Sequence, residues 1–412
     1  MNMTNAIAAL DDGPLQEEAI AEYVAPLFSR VLATDRIYLA NHSLGRPLDR
    51  MAGDVGEATA LWYSKLGDAW DEWLAEREAF RSRIARLIGA ERPDCIVPRT
   101  SAGQSLRAVL NALPGRPRVL STRGEFDSVD LILKQYAALG RIEVRWIEPD
   151  ERSEFSAGEL AREVERGGAD LVVVSLVMFM TGQLMGGLDH LAEICHARGA
   201  RLLVDIYHAV GIVPVNVQAM GADFAIGGSY KYLRGGPGAG YLYLAPQVLD
   251  SGLQPLDTGW FANDDMFSFQ RFDPPVLKKG GDAFLEGTPA VLPWYQARSG
   301  AEFALAVGVP RLRDYSLRQL RALRGYLQEA GVTGAAGGDD HHGGFLSVRL
   351  KNAIEIPKLL ERDGIVCDAR GEWLRLCPDC LTRDSELRRA ALSLGEALRV
   401  ANQPISHGSK RQ

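Results

Sequence analysis

The sequence predicts an α/β protein with a large, wound, mainly parallel sheet domain and a smaller α+β domain at its C-terminal end. Between about residues 94 and 245, short apolar segments alternate with segments of helical periodicity, the pattern of strands linked by crossover helices. Residues 171–174 are apolar on both faces, as a parallel strand between two helix layers must be. The 412 residues, 46% of them hydrophobic, provide enough apolar material for about two to three domains.

The sequence predicts helices before the large domain and alternating strands and helices within it. A helix over 17–32 leads to a short strand at 37–39, and residues 50–88 carry apolar side chains at the spacings of helices. The strands of the sheet are predicted at 95–98, 118–121, 143–147, 170–176, 201–204, 224–227 and 240–244. The helices between them are predicted at 104–113, 130–139, 157–165 and 189–198.

The last third of the chain predicts a different arrangement. Residues 250–290 are rich in Gly, Pro and Asp and are expected to be irregular, whereas 291–330 form a long helical stretch. Strands at 345–350, 365–367 and 373–376, helices at 356–362 and 385–401, and a solvated tail of ten residues follow. The predicted organisation is an N-terminal segment (1–45), a large domain (46–290) and a small domain (291–412).

Composition and charge exclude several classes of partner. The net charge of −7, from 46 basic and 53 acidic residues, makes nucleic acid or an anionic membrane an unsuitable main partner. The longest apolar run, 171–180, is about half the length of a membrane-spanning helix. The N-terminal region lacks the basic start of a secretory signal, and five cysteines, an odd number, argue against a disulfide framework. A cytoplasmic enzyme that acts on a small molecule is expected.

An acid and a histidine follow an apolar strand in the segment 202–211 (LLVDIYHAVG). Asp205 ends the strand and His208 comes three residues later, at the sheet edge where open α/β folds bind their ligands. The same residues also suit a simpler role, in which Asp205 caps the next turn and His208 is its polar neighbour. On their own, these two residues leave both interpretations open.

A lysine follows another apolar strand, in the segment 227–233 (GGSYKYL). A lysine in a partly desolvated pocket has a lowered pKa and can bond covalently to a carbonyl group. The alternative for Lys231 is a surface lysine in a turn. A dinucleotide-binding loop is disfavoured, because a strand rather than a helix follows the nearby glycines, and no Gly-Lys-Ser/Thr sequence marks a phosphate loop.

Together, Asp205, His208 and Lys231 match a site for pyridoxal 5'-phosphate (PLP). This cofactor stores a carbanion while its pyridine nitrogen is protonated, which a carboxylate favours, and its aldehyde needs an amine. Its phosphate needs hydroxyl and free N–H groups, which the start of a helix offers. Thr100 and Ser101 supply such groups between a predicted strand and the predicted helix over 104–113.

The order of these motifs resembles that of fold-type I PLP enzymes of the class V aminotransferase group, and within that group it resembles kynureninases. The resemblance rests on the Asp-x-x-His segment, on Ser-Tyr-Lys-Tyr-Leu at 229–233 and on residues 38–45 (YLANHSLG). It includes Gly-Trp-Phe at 259–261 and residues 284–289 (FLEGTP), and it spans roughly residues 37–376. It implies a fold-type I architecture, PLP as the cofactor, an amino-acid substrate, and a homodimer with shared active sites.

The resemblance also implies a role for each matching residue on the cofactor side. Lys231 would bond to the cofactor aldehyde and move the α-proton of the substrate, and Asp205 would pair with the pyridine nitrogen. His208 would lie against the cofactor, and Phe126 would stack on its ring. The phosphate would be held by Thr100, Ser101 and Tyr230, with Trp260 and Thr288 reaching it from the second subunit.

On the substrate side, the resemblance implies that Arg375 binds the α-carboxylate as a bidentate fork. Asn41 and His42 would line the substrate pocket, and they stand where kynureninases usually have Gly-Asn. The acid that should contact the cofactor after the stacking residue is also out of register, so it is either Asp127 or Asp130.

The expected reaction is hydrolysis of the Cβ–Cγ bond of kynurenine, or of a related γ-keto amino acid, to alanine and an acid, with Tyr230 as a proton donor. Residues 262–264 (AND), where kynureninases usually have Gly-His-Arg, leave another class V reaction open: an aminotransferase, a β-eliminating lyase or an epimerase. A cysteine desulfurase is disfavoured, because the loop at 334–344 has no cysteine. No metal is expected, since Cys377 and Cys380 form a lone C-x-x-C pair.

Overall fold

A computed structural model describes residues 2–401 of the chain. Its strands are β1 (Ile37–Tyr38), β2 (Ile96–Arg99), β3 (Arg118–Thr122), β4 (Glu143–Ile147), β5 (Leu171–Ser175), β6 (Arg201–Asp205), β7 (Phe224–Gly228), β8 (Gly240–Leu244), β9 (Ala335–Ala336), β10 (Leu346–Arg349), β11 (Ile365–Val366), β12 (Asp368–Arg370) and β13 (Trp373–Leu376). Its α-helices are α1 (Met3–Ala8), α2 (Glu17–Ala19), α3 (Ser29–Leu32), α4 (Arg50–Lys65), α5 (Trp70–Ile88), α6 (Ala102–Ala112), α7 (Asp127–Ala138), α8 (Ala157–Gly167), α9 (Leu188–Ala197), α10 (Pro246–Asp250), α11 (Leu292–Val307), α12 (Val309–Glu329), α13 (Ile356–Leu360) and α14 (Asp384–Ala401). Among these described helices, none has the length and apolarity that a membrane crossing requires. The predicted C-terminal tail lies outside the described residues.

The large sheet has the strand order β2-β8-β7-β6-β5-β3-β4. Strands β3 to β7 run parallel, β8 is antiparallel to β7, and β2 is antiparallel to β8. Strands β5, β7 and β8 are buried along their whole length, which explains their near-continuous apolar sequence. The wound, mainly parallel α/β domain that the sequence predicts is confirmed, and β4 and β8 have the predicted bounds.

The direction in which the chain adds strands reverses at β3, because β4 lies on one side of it and β5 on the other. Such a switch point opens a crevice beyond the carboxyl ends of the strands. The parallel register brings the last residues of neighbouring strands level at that edge, where Ser175 of β5 lies opposite Asp205 of β6. The fold thus places the end of each central strand at one candidate site.

Three predicted helical stretches are interrupted at identifiable residues. The stretch 50–88 breaks at Leu66, whose φ of 51° ends α4. The stretch 291–330 breaks at Gly308, with a φ of 91°, and Pro310 lies in the first turn of α12. In the stretch 17–32, the middle turns are π- and 3₁₀-helical around Pro26, which cannot donate an N–H. The prediction of helical character was right and the prediction of continuity was wrong.

The small domain has its own antiparallel sheet, in the order β12-β13-β10-β9, and a core separate from that of the large sheet. Buried leucines from α12, β10, β13 and α14 form this core: Leu320, Leu346, Leu374 and Leu387. The predicted α+β character is confirmed, although β9 and β12 were not predicted. The N-terminal segment packs on this domain, because β1 pairs with β11 and Ala40 bridges to Cys377. The domain boundaries after residues 45 and 290 stay a prediction.

Candidate active site

A cavity of about 480 Å³ opens beyond the carboxyl ends of the parallel strands. Its volume is typical of pockets that enclose small ligands. Ser175, Phe179 and Tyr207, which were not predicted as site residues, contribute to its lining. The lining also includes all the residues predicted to hold the cofactor from within the same subunit: Thr100, Ser101, Phe126, Asp205, His208, Tyr230 and Lys231.

Lys231 reaches the cavity from the loop that follows β7. Its side chain is buried, and its Nζ lies 5.5 Å from the ring centres of Phe126 and Tyr230 and 5.6 Å from that of Tyr207. Burial lowers the pKa of Lys231, and the carboxylate of Asp205 opposes that shift only in part. The neutral amine, the form that adds to an aldehyde, is therefore more accessible than in an exposed lysine.

Asp205 and His208 lie at and just after the end of β6. Asp205 Oδ1 accepts the N–H of Tyr207 at 2.9 Å, so the capping interaction is present as well. Burial raises the pKa of Asp205, while this hydrogen bond and Lys231 lower it. Burial lowers the pKa of His208, and Lys231 acts in the same direction, so its ring is neutral. Within residues 2–401, the buried Nδ1 of His208 has no hydrogen-bond partner.

The N-terminus of α6 forms one wall of the cavity. Ser101 is the N-cap, and its Oγ accepts the N–H of Gln104 at 3.2 Å. Ala102 and Gly103 follow at the cavity, in the first turn, where N–H groups have no acceptor within the helix. Thr100 donates its backbone N–H and its hydroxyl to the Gln104 side chain, at 2.8 and 3.1 Å. This helix start and its dipole suit an anionic phosphate.

Phe126 precedes α7 and lines the cavity, but the predicted acid after it does not. Asp127 is exposed in the first turn of α7, and Asp130 binds Lys134 at 2.6 Å. Ser128 is the residue of this turn that lines the cavity. Neither Asp127 nor Asp130 lines the cavity, contrary to the expectation that one of them contacts the cofactor.

A buried acid that was not predicted lies one residue before Phe126. Glu125 Oε2 accepts the hydroxyl of Ser175 at 2.6 Å, and its Oε1 accepts that of Thr122 at 2.7 Å. Burial raises the pKa of Glu125 to about 7, although both hydrogen bonds lower it. Its position after a strand was visible in the sequence, but its partner Ser175 is 50 residues away and gave no local signal.

Arg375 lies beside the cavity with one edge of its guanidinium already occupied. Its Nε and Nη2 donate to the two carboxylate oxygens of Asp368, at 2.9 and 2.6 Å, and its Nη1 donates to the carbonyl of Phe179 at 2.5 Å. Asp368 therefore occupies the bidentate position on Arg375 that was expected for the substrate carboxylate. Asp368 was not predicted as a site residue, because it lies on β12, a strand that was not predicted. One N–H on Nη1 and one on Nη2 remain for a substrate carboxylate.

His42, from the N-terminal segment, binds the same Asp368 that pairs with Arg375. Its Nε2 donates to Asp368 Oδ1 at 2.9 Å, and its ring stacks on Phe345 with centres 4.9 Å apart. Burial lowers the pKa of His42 to about 4, which leaves a neutral ring whose Nδ1 has no partner in the described part of the chain. Asn41 donates its Nδ2–H to the carbonyl of Cys377 at 3.0 Å and so ties the segment to the small domain. Neither His42 nor Asn41 lines the cavity.

Asp368 is an anion held by two donors. Burial would raise the pKa of Asp368, but the hydrogen bond from His42 and the ion pair with Arg375 hold it well below its ordinary value. The carboxylate therefore stays charged over the whole neutral range and keeps the guanidinium of Arg375 in one orientation.

Trp260 and Thr288, which were predicted to act across a dimer, lie outside the lining of their own cavity. Thr288 lines a neighbouring cavity of about 250 Å³ together with Thr100 and Gly238, which border both cavities. Trp260 is 44% exposed. The action of these two residues on a second subunit stays a prediction.

The groups around the cavity fit PLP. A buried amine, a buried carboxylate, an unpartnered imidazole nitrogen and a helix N-terminus match the aldehyde, the pyridine nitrogen, the ring and the phosphate of this cofactor. The fold and these groups define a PLP-dependent enzyme of fold type I. The profile of the family described as aminotransferase class-V matches residues 48–374, and the chain belongs to that family.

Similar proteins carry more than one activity. The chain is 27% identical over 345 residues to the uncharacterised aminotransferase YcbU of Bacillus subtilis (strain 168), which covers 82% of this chain and 90% of the other. It is 30% identical over 299 residues to a kynureninase of Deinococcus radiodurans, covering 69% and 70% of the two chains. A cysteine desulfurase from Thermococcus onnurineus NA1 has a similar structure, with a TM-score of 0.77 at 20% identity over 90% of this chain and 96% of that one. The cystine C–S lyase C-DES has a TM-score of 0.80 at 17% identity over 89% and 99%.

Proposed function

We propose that the chain is a hydrolase of the kynureninase type, which cleaves the Cβ–Cγ bond of kynurenine, or of a related γ-keto amino acid, to give alanine and an acid. The position of the segment 38–45, on which the resemblance to kynureninases rests, carries this proposal. Gly45 donates its N–H to the carbonyl of Tyr230 at 2.8 Å, and the rings of His42 and His208 lie 6.2 Å apart. The kynureninase-like segment therefore lies against the loop of the cofactor lysine.

The proposed chemistry assigns a task to each end of the substrate. Bound PLP supplies the electron sink that acidifies the protons of the substrate's α- and β-carbons. Lys231 is the base at the α-carbon, because its buried amine has a lowered pKa and lies among the cavity rings. Arg375 binds the α-carboxylate with the two N–H groups that Asp368 and the carbonyl of Phe179 leave free. These contacts orient the bond that breaks.

Tyr230 is the proposed proton donor to the β-carbon of the departing alanine. Its side chain lines the cavity, and it directly precedes Lys231 in the sequence. Burial raises the pKa of Tyr230 to about 12, and Asp205 adds to this shift. The phenol therefore keeps its proton at neutral pH and can give it to a strongly basic carbon. Water adds to the γ-carbonyl before the Cβ–Cγ bond breaks, so the released acid carries an oxygen of that water.

An aminotransferase that acts on a different amino acid is the second candidate. The similarity to YcbU supports it, because it covers more of both chains than the similarity to the Deinococcus kynureninase. The segment 262–264 also supports it, since Gly-His-Arg is absent there. A β-eliminating lyase or an epimerase would use the same cofactor residues, so those residues do not distinguish between the alternatives.

Cysteine desulfurase chemistry is not supported, because it needs an accessible nucleophilic thiolate. The loop at 334–344 contains no cysteine. Burial raises the pKa of every cysteine thiol to between about 11 and about 12, in Cys95, Cys195, Cys367, Cys377 and Cys380. The likeness to a desulfurase structure therefore concerns the fold alone.

Incubation of the PLP-loaded protein with L-kynurenine and, separately, with 3-hydroxy-L-kynurenine tests the proposal. We expect L-alanine and the corresponding anthranilate, with the cofactor recovered as the aldehyde, and no product from the Lys231→Ala variant. The proposal is wrong if neither compound is cleaved while another amino acid yields its keto acid and pyridoxamine phosphate. That outcome would identify an aminotransferase, and the segment 262–264 would be the first to exchange.

We further propose that the enzyme is a cytoplasmic homodimer whose subunits share active sites. Trp260 and Thr288 lie outside their own cavity, which supports an action on the partner subunit. Three aromatic side chains between them, Phe267, Phe269 and Phe272, are exposed. A cluster of exposed aromatic residues is typical of an interaction surface.

A further inference from the structure

A buried carboxyl group joins two strands below the cavity and has no part in the chemistry above. Glu125 is 3% exposed and connects Thr122 at the end of β3 with Ser175 at the end of β5. Another carboxylate, Asp205 on β6, raises the pKa of Glu125 further. A carboxyl group that is held by hydroxyls, without a cation, is costly to bury, and an apolar side chain would serve a purely structural role better.

Ser175 connects this carboxyl group to the cavity. It is part of the cavity lining, and it lies opposite Asp205 in the sheet. A hydroxyl group has one proton to donate. While Ser175 donates that proton to Glu125, its oxygen offers only lone pairs to the cavity. Without the carboxylate, the hydroxyl is free to rotate and to donate into the cavity instead.

Thr122 fixes the other side of the carboxylate. Its hydroxyl donates to Glu125 Oε1 at 2.7 Å, and its oxygen accepts the N–H of Gly124 at 3.2 Å. The carboxylate therefore cannot turn away from Ser175 without losing a second hydrogen bond. Glu125 is held in the one orientation in which it faces the cavity hydroxyl.

We propose that Glu125 is a positioning residue for the cofactor: by accepting the proton of Ser175, it keeps the Ser175 oxygen as a hydrogen-bond acceptor in the wall of the PLP cavity. This inference requires bound PLP but holds for a hydrolase and for an aminotransferase alike. A test that measures cofactor binding without any substrate therefore separates it from the proposed reaction.

The test is a double-mutant cycle on PLP affinity and on the absorption spectrum of the bound cofactor, at about pH 8, where Glu125 with its pKa of about 7 is ionised. Glu125→Met removes the acceptor at similar volume, and Ser175→Ala removes the hydroxyl. We expect Glu125→Met to weaken PLP binding about tenfold and to change the ratio of the absorption bands, because a misdirected buried hydroxyl is costly. In the Ser175→Ala background, the same change is expected to alter the affinity by less than about twofold.

Glu125→Gln is the conservative control. Its amide oxygen can accept from Ser175 while its amide N–H turns to Thr122, so we expect an affinity within about threefold of the wild type. Unfolding of the apoproteins is measured in parallel, and Glu125→Leu replaces Glu125→Met if the latter does not fold. The proposal is overturned if the apolar variant binds PLP as the wild type does, if its effect is the same with and without the Ser175 hydroxyl, or if Glu125→Gln binds no better than Glu125→Met.

Discussion

Desolvation shifts the pKa of individual side chains at the carboxyl ends of the strands of the large sheet. Burial lowers the pKa of Lys231 and His208 and raises that of Asp205 and Glu125, so each is moved toward its neutral form. A reactive amine follows for Lys231. For Asp205, the cationic pyridine nitrogen of bound PLP would supply a counter-charge, and the carboxylate would regain its charged form. Cofactor binding therefore completes the electrostatics of the site and should stabilise the fold.

Glu125 predicts a pH dependence of the stability of the apoprotein. Its pKa rises from an ordinary value of 4.5 to about 7 through burial, so the folded state holds the proton more tightly than the unfolded chain. Its contribution favours folding at low pH and is lost as the pH rises from about 4.5 to about 7. Relative to the wild type, apo Glu125→Gln should gain about 2–3 kcal/mol of unfolding free energy between about pH 5 and about pH 8.

Urea unfolding of both apoproteins at the two pH values measures this difference. Asp205 and Lys231 titrate in both proteins, so the comparison removes their own contributions and leaves that of Glu125 together with its coupling to Asp205. A stability difference that stays constant between the two pH values would contradict the raised pKa of Glu125.

The site residues that the sequence predicts have local signals. Asp205 and Lys231 each follow an apolar strand, and Ser101 begins a helix, so periodicity and spacing mark them. The missed residues depend on long-range contacts, which a single sequence does not contain. Asp368 lies 326 residues from its partner His42.

At the scale of elements, the N-terminal segment reaches the active site through a close backbone approach. Gly45 donates its N–H to the Tyr230 carbonyl at 2.8 Å, and a Cβ atom on Gly45 would overlap the carbonyl oxygen of Lys231. A backbone oxygen cannot move aside as a flexible side chain can. Glycine is therefore needed at this position by close packing against the lysine loop.

Gly45→Ala should destabilise the protein by about 1–3 kcal/mol through overpacking and should weaken PLP binding, because relief requires a shift of the Lys231 backbone. Gly56→Ala in α4 is the matched control, since an added Cβ there meets nothing within 4 Å. It should instead stabilise the helix by about 0.5–1 kcal/mol. Thermal unfolding and PLP titration of both variants provide the measurement. Unchanged PLP affinity in Gly45→Ala would mean that the segment yields without moving the lysine.

The elements themselves were predictable where the hydrophobic pattern is long or flanked by clear turns. β4 and β8 occur at their predicted bounds. β4 alternates Val144 and Trp146 with charged residues, and β8 is an apolar run between a glycine-rich loop and Pro246. The break at Leu66 was not predictable, because a leucine with a positive φ has no sequence signal, whereas the break at Gly308 was missed although Gly308 and Pro310 mark it. β9 and β12 are two and three residues long, too short to show a period of two.

At the scale of the whole molecule, the residues predicted to hold the cofactor do not all line one cavity of a single chain. Lys231 and Asp205 line the main cavity, whereas Thr288 lines the neighbouring one and Trp260 is partly exposed. A closed homodimer related by a two-fold axis would bring the second group to the first on both sides at once. This arrangement predicts that each active site needs two subunits.

Mixing Lys231→Ala subunits with Thr288→Ala subunits tests this prediction with the substrate that the enzyme turns over. If Thr288 acts on the cofactor phosphate of the partner, a mixed dimer has one site with both substitutions and one site with neither. Random exchange makes about half of the dimers mixed, so roughly a quarter of the wild-type activity should return from two poorly active proteins.

The matched control for this experiment mixes Lys231→Ala with Arg375→Ala. Arg375 binds the carbonyl of Phe179, which lines the same cavity as Lys231, so both residues serve one site from one chain. Each site of this mixed dimer then lacks one essential group, and no activity should return. Two different affinity tags confirm that subunits have exchanged. Equal recovery from the two mixtures would mean that Thr288 does not act across subunits, and that the exposed aromatic segment between Trp260 and Thr288 has another role.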